Sequence, residues 1–394
     1  MTMARKNSVI AFHDDRMLAH APDIEVPFLP GRMDDQIRLL LSGLGEPGVP
    51  WIYPEQPGRL VAIQQLLALQ PVPDVQFETG MAATREQLAR VHDSSHLDKL
   101  FRLRGENAWL DVDTTAVSPG SIDAAEVAAG SSIKAVEAVI RGRAESAFAL
   151  VRPPGHHAES ARARGFCLFN NVAVAAAHAR QALGCARVMI IDWDAHHGNG
   201  TQEIFREDQD VLFFDIHRAA PFYPGSGHFL ETGMRAGHGT NINVPVPADA
   251  GDAAYLKAFR EILGPAAAWF KPDLILVSAG FDPHCHDLAL NVSYEGFAAM
   301  TGIIQSLAKE HCDGRAVFVL EGGYNLISLS RGVRTVLQVL TGIEPPEPGL
   351  LGLAEVAAAV AFHAPHFTDS KSIVGGRPAP ENRSRTPPST TWHT

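Results

Sequence analysis

Short apolar runs that stop abruptly in polar residues recur along this chain. Val188 to Ile191 ends in DWDAHHGNG, Phe148 to Val151 in RPPGHH, and Val211 to Phe214 in Asp215-Ile216-His217. Leu274 to Val277 ends in Ser278-Ala279-Gly280-Phe281-Asp282-Pro283, and Val317 to Leu320 in Glu321-Gly322-Gly323-Tyr324. Such runs, without alternation, predict strands covered on both faces, as in a parallel sheet. Ala-rich helical stretches lie between them, so the order is strand, helix, strand. The expected class is α/β: one domain over residues 8–365, with a mostly parallel central sheet flanked by helices on both faces. In open α/β sheets ligands sit at the carboxyl ends of the strands, where these polar residues fall.

The remaining pattern fills in the frame. Ser8 to Phe12 reads as a first strand, and Gly58 to Leu69 as an amphipathic helix, with another inside Thr84 to Leu103. Ser118-Pro119 supplies an N-cap and a first-turn proline for a long helix running to Gly142. Asn170 to Leu183, almost pure Ala and Val, predicts a helix buried on most sides. Tyr255 to Phe270 and Tyr294 to His311 read as crossover helices, and Leu353 to His363 as a final one. Asp14 to Pro54, rich in Pro and Gly with one helical patch at Met33 to Leu41, is too long for an ordinary connection. A rim or oligomer-contact insertion is expected there. From Phe367 onward no apolar period remains, and Thr368 to Thr394 is expected to be a disordered tail.

Composition narrows the function classes. The chain has 394 residues, 46% hydrophobic and 20% charged, and a net charge of −11 with histidine neutral. An acidic chain without a basic cluster argues against nucleic acid as a ligand. The four cysteines, Cys167, Cys185, Cys285 and Cys312, show neither paired zinc spacing nor a disulfide framework. Three of them follow or sit inside apolar segments and are expected to be buried thiols in a reducing compartment. The N-terminal segment MTMARKNSVIAFHDD has no long apolar core, so no signal peptide, no membrane span and a cytoplasmic location are expected.

The polar strand ends carry the candidate chemistry. Asp194 and His196, two apart, point to one side of extended chain and can share a borderline metal ion. The alternative is a solvated loop at a polar strand end. Asp282, presented by the turn at Pro283, is the best third ligand, its alternative being a turn cap. Three protein ligands leave an open position, the signature of a catalytic metal. His156 and His157, delivered by a rigid Pro-Pro-Gly approach, suit an acid/base pair beside activated water. Asp192 is placed to orient one of them. Tyr324, after a flexible Gly322-Gly323 hinge, can donate to a developing oxyanion, unless it is only a packed aromatic. This set predicts a metal-dependent hydrolase acting on a carbonyl, needing no Ser or Cys nucleophile and carrying no G-x-S-x-G elbow.

RPPGHHA (Arg152 to Ala158), GFCLFNN (Gly165 to Asn171), DWDAHHGNGTQEIF (Asp192 to Phe205), SAGFD (Ser278 to Asp282) and EGGYNL (Glu321 to Leu326) together resemble the histone deacetylase and acetylpolyamine amidohydrolase superfamily. The resemblance spans roughly Val9 to His363. It implies the arginase-like α/β fold and a zinc-dependent amidohydrolase. By the resemblance Asp194, His196 and Asp282 hold zinc (Zn2+), His156 and His157 are the tandem acid/base histidines, and Tyr324 is the catalytic tyrosine. Phe166 and Tyr223 match positions lining a narrow acyl-lysine tunnel, and the Gly165 carbonyl can accept the substrate amide N–H. Potassium (K+) is implied beside the zinc strand through Asp192, Asp194 and His196, although Asp215 stands where a serine usually contributes.

Asn199, where one branch carries an aspartate paired with the second histidine, points to the class II branch. A neutral partner removes one influence that would raise the pKa of His157. The implied substrates are acetyl-lysine in peptides or proteins, acetylated polyamines, or other small N-acyl amines. Leu288 falls at the best match to a gatekeeper position that is acidic in polyamine enzymes, which leans toward acyl-lysine. The 14–54 stretch borders the tunnel in this family, so it could narrow the entrance or build a homo-oligomer contact. A two-metal ureohydrolase is disfavoured because Gly198 and Gly280 replace the extra bridging carboxylates. A catalytically idle acyl-lysine reader is disfavoured by the full set His156, His157 and Tyr324. An Asp/His/Asp site also tolerates Fe(II), Mn(II) or Co(II).

Overall fold

The structure, a computed structural model, describes residues 8–22, 53–111, 114–288, 290–344 and 356–368. Eight strands form one sheet in the order β2-β1-β5-β10-β9-β6-β7-β8. These are β1 (Val9–His13), β2 (Val75–Thr79), β5 (Ser146–Ala149), β6 (Val188–Asp192), β7 (Val211–Arg218), β8 (Asn241–Val246), β9 (Leu274–Ala279) and β10 (Ala316–Leu320). Every neighbouring pair is parallel. A separate antiparallel pair joins β3 (Ala108–Trp109) to β4 (Ala116–Val117). In β5, β6, β9 and β10 every residue is buried. Because successive side chains alternate between faces, both faces are covered, as the unbroken apolar runs predict.

The helices provide that cover. Ser121–Ile140 and Asn171–Leu183 pack together along surfaces of Ala, Val, Ser and Gly, whose small side chains permit close approach. The second is capped by the Asn170 side chain and closed by left-handed Gly184.

Several boundaries differ from the expectation. β7 does not stop at Phe214: pairing with β8 over Phe213 to Arg218 carries the strand through Asp215 and His217. Those side chains therefore sit inside the sheet and not beyond its end. The Thr84 to Leu103 segment is two helices, Arg85–Leu88 and Ser94–Arg102. The helix ending at Phe270 starts earlier, at Asp252, and passes through a π turn at Phe259–Leu263. The last helix is Ala357–Thr368, with Pro365 inside it, so Thr368 belongs to the fold and not to the tail. Residues 369–394 lie outside the described residues, as does the patch Met33 to Leu41. Of the 14–54 stretch, residues 14–22, 53 and 54 are described and 23–52 are not. Asp15–Ala19 forms a 3-10 helix whose Met17 carbonyl accepts a hydrogen bond from buried Arg152, and Tyr53 is buried.

Candidate active site

Asp192 ends β6, and the chain turns so that Asp194 and His196 follow on one side; Asp282 arrives three residues beyond β9. His196 Nδ1 lies 3.0 Å from Asp194 Oδ1 and 3.1 Å from Asp282 Oδ2. Each carboxylate is anchored by its other oxygen. Gly322 N–H donates to Asp194 Oδ2 at 2.9 Å, and Ala195 N–H to Asp282 Oδ1 at 2.8 Å. One donor atom from each of the three residues lies within 4.8 Å of the others. Donors about 2.0–2.2 Å from a tetrahedral ion sit about 3.4 Å apart, close to the observed spacing. Burial opposes charge on His196, yet the two carboxylates outweigh it and push the imidazole up to about 9. The point between these side chains favours positive charge. The donor set fits a divalent ion.

Close packing of backbone makes the cluster possible. A Cβ on Gly280 would stand 2.0 Å from Asp194 Oδ2, and one on Gly322 2.3 Å from Asp282 Oδ2. A bridging carboxylate at position 280 therefore has no room.

The tandem histidines leave β5 through the RPPG turn. Glu321, just past β10, is buried and accepts N–H bonds from Gly155 (2.6 Å) and His156 (3.1 Å). His156 Nδ1 meets Asp192 Oδ2 at 3.0 Å. Burial works against its positive form, but Asp194 and Asp192 prevail and raise its pKa well above the usual range. His157 Nδ1 meets Asn199 Oδ1 at 2.8 Å. The amide's Nδ2 donates to Glu159 Oε1 (2.8 Å), which turns its oxygen to the imidazole. His157 Nδ1 is thus the donor, and Nε2 is left as the basic nitrogen. Burial, then the charges of His156 and His196, hold the His157 pKa well below the usual range. Two rings 4.0 Å apart are pushed in opposite directions, the pattern of an acid/base division of labour.

Tyr324 is held and not hinged. Its N–H and that of Asn325 both donate to Asp287 Oδ2 at 2.7 Å. The Gly323 carbonyl, at φ +114, accepts the Arg59 Nε–H at 2.7 Å, and the Arg59 guanidinium lies 5.2 Å from the Tyr324 ring centroid. Gly322 and Gly323 therefore serve close approach and a left-handed bend, which corrects the flexible-hinge expectation. Burial, reinforced by Asp282 and partly offset by Arg59, holds the phenol pKa well above its usual value. It stays a proton donor. Arg59 also donates to the Glu321 carbonyl, and Glu55 pairs with it at 2.9 Å and with Arg152 at 2.8 Å, all fully buried.

Aromatic rings border the cluster. The Phe166 ring lies 5.8 Å from Tyr324 and 5.2 Å from Tyr53. Tyr223 is 5.1 Å from His157 and 6.2 Å from His196, and its hydroxyl accepts the Arg164 Nε–H at 3.2 Å. Phe222 stacks on His196 at 4.5 Å. The Gly165 carbonyl receives only a weak Cys167 S–H contact, at 3.2 Å. Leu288 is tied to the cluster through its backbone: its N–H donates to the Asp282 carbonyl at 3.0 Å, while its side chain packs half-buried on the core. Asp215 lies in register beside Asp192, but its oxygens meet the Gly198 N–H (2.7 Å) and His217 Nδ1 (2.5 Å).

The sequence reading brought together Asp194, His196, Asp282, His156, His157, Asp192, Asn199 and Tyr324. It missed Tyr53, Glu55, Arg59 and Asp287, and it read Glu321 only as a polar strand end. The i,i+4 spacing of Glu55 and Arg59 was the one available signal, and that spacing is ordinary on solvated helices.

The histone deacetylase domain family matches residues 53–340. The chain is 36% identical over 335 residues to the histone deacetylase-like amidohydrolase of Pseudomonas aeruginosa, covering 84% of this chain and 86% of that protein. It is 38% identical over 310 residues to the chloroplastic histone deacetylase 14 of Arabidopsis thaliana, covering 74% and 73%. Identity to the mouse (Mus musculus) polyamine deacetylase HDAC10 is 37% over 360 residues, 88% of this chain but 50% of that protein. The crystal structure of the HDA15 HD domain superposes with a TM-score of 0.77 at 35% identity, covering 92% of this chain and 94% of that one.

Proposed function

Because this chain belongs to the histone deacetylase family, we propose that it is a zinc-dependent hydrolase removing acyl groups from acetyl-lysine-like amines. Asp194, His196 and Asp282 would hold the ion, which when bound polarises a carbonyl and lowers the pKa of water. His157, its Nδ1–H anchored on Asn199, takes a proton from the attacking water at Nε2 and returns it to the leaving amine. His156, held toward its positive form by Asp192 and Asp194, stabilises negative charge developing nearby. The Tyr324 phenol donates to the acyl oxygen. Phe166 and Tyr223 flank the alkyl chain, and the Gly165 carbonyl accepts the substrate N–H. No step is assigned to potassium.

The observation that carries this reading is the opposed pair His156 and His157 beside the three-donor cluster. An acyl-lysine reader has no use for an acid/base pair. A small N-acyl amine substrate is the second reading, favoured by the likeness to a relative named as a polyamine deacetylase. Steady-state kinetics on acetyl-lysine peptides against acetylputrescine and acetylspermidine decide between them. The proposal expects higher kcat/KM on peptides. A strong polyamine preference moves the assignment to the second reading, and no hydrolysis of any acyl amine by metal-replete protein sinks both.

A further inference from the structure

His284, Cys285 and His286 place two imidazoles and a thiol on the turn after Pro283, with one donor atom from each within 4.8 Å of the others. We propose that these three residues form a second metal site, separate from Asp194, His196 and Asp282, that binds a soft or borderline divalent ion through sulfur. Thiolate with imidazole is the donor set such ions prefer. With a single cysteine, the segment carries no paired-cysteine spacing to mark it in the sequence.

The turn is built before any ion arrives. Cys285 N–H donates to the Val292 carbonyl at 3.0 Å, Val292 N–H to the Pro283 carbonyl at 3.1 Å, and Asp287 N–H to the His284 carbonyl at 2.8 Å. The His284 ring is buried, packed 4.3 Å from Tyr294 and nearly parallel to Phe297. Cys285 and His286 are exposed, so solvent ions reach them. Cys285 Sγ stands 3.9 Å from His284 Nδ1. Four-coordinate zinc would set sulfur and nitrogen about 3.6 Å apart, a contraction of a few tenths of an ångström. That nitrogen now accepts the His286 N–H at 3.1 Å, so its lone pair already faces into the turn. An ion takes it in exchange for one neutral hydrogen bond. Glu295, exposed in the first turn of Tyr294–His311, contributes to the field at the Cys285 thiol and offers a nearby carboxylate.

Sulfur gives the site its own signature. The Asp/His/Asp cluster contains none, and Cys167, Cys185 and Cys312 are buried. Full-length protein carrying one equivalent of zinc is titrated with Cd2+ while near-ultraviolet absorbance is followed. A thiolate-to-cadmium band that saturates with one further equivalent is expected. Cys285→Ser should abolish the band with an unchanged thermal midpoint, and His286→Ala should weaken binding by about 10–100-fold or more. A wild-type protein without the band, or a band that survives in Cys285→Ser, overturns the proposal.

Discussion

Arg59 Nε–H meets the carbonyl of Gly323 at 2.7 Å, one residue before Tyr324. A side chain 264 residues away in sequence thus fixes the bend that aims the phenol. Arg59 is also the fully buried partner of Glu55. Arg59→Ala should lower kcat and, by breaking a buried charge pair, cost about 3–5 kcal/mol of stability. Arg59→Lys keeps the charge but not the fork that reaches Gly323 and Glu321 together, so it should lose kcat with a smaller stability loss. Turnover and urea midpoints measured on both variants test this. Wild-type kcat in Arg59→Lys would remove the positioning role.

The Asn199 amide leaves His157 without a carboxylate partner, and burial with the charges of His156 and His196 holds its pKa low. Asn199→Asp adds a negative charge at that contact, which favours the protonated imidazole and raises its pKa. The base must be neutral to act, so activity rises as pH passes upward through that pKa. The acidic limb of kcat/KM should therefore move to higher pH in Asn199→Asp. A limb that stays put or moves down contradicts His157 as the base.

Much of this candidate site was legible because its proposed ligands sit at strand ends within a few residues of unmistakable apolar runs. Asp194, His196 and Asp282 were identified from spacing and position alone. The supports were not legible, for a physical reason. Arg59 and Asp287 act by reaching backbone groups of distant segments, Glu55 acts by pairing with the Arg59 and Arg152 side chains, and a charged residue carries no mark of burial in its own sequence neighbourhood. β7 was cut short at Phe214 because Asp215 reads as a strand end, whereas β8 supplies a ladder that extends past it. The glycines of EGGY looked like a hinge because the sequence cannot show that Asp194 and Asp282 press against Gly322.

Removing the metal should unload charge into the core. Asp194 and Asp282 are fully buried and face one another across His196, and burial together with Asp194 pushes the Asp282 pKa up. Chelation should abolish hydrolysis and lower the thermal midpoint, because a ligand bound only by the native state at 100 times its Kd contributes about 2.7 kcal/mol. Zinc or Co(II) should restore both, and Asp282→Asn in a Cys285→Ser background should fail to retain a full equivalent of metal by elemental analysis. Undiminished hydrolysis in exhaustively chelated protein would end the metal reading.

Gly165 separates a catalytic effect from a backbone one. It sits at φ +58, and a Cβ there would stand 2.3 Å from His157 Cδ2. Gly184, the left-handed cap of Asn171–Leu183, has φ +79, and a Cβ would meet nothing within 4 Å. Alanine at either position costs about 1–2 kcal/mol for the left-handed backbone, and Gly165→Ala adds the cost of displacing the buried His157 ring, so it should lose more stability in urea than Gly184→Ala. Only Gly165→Ala also drives a methyl into the ring of the proposed base, which must rotate away from Asn199 or be pushed toward His156. Its kcat should fall at least about 100-fold, the scale on which a displaced catalytic group is felt, while its metal content stays that of the wild-type protein. Gly184→Ala should keep wild-type kcat. If both variants lose activity in proportion to their stability, the contact between Gly165 and His157 is structural and His157 is not held for catalysis by that close approach.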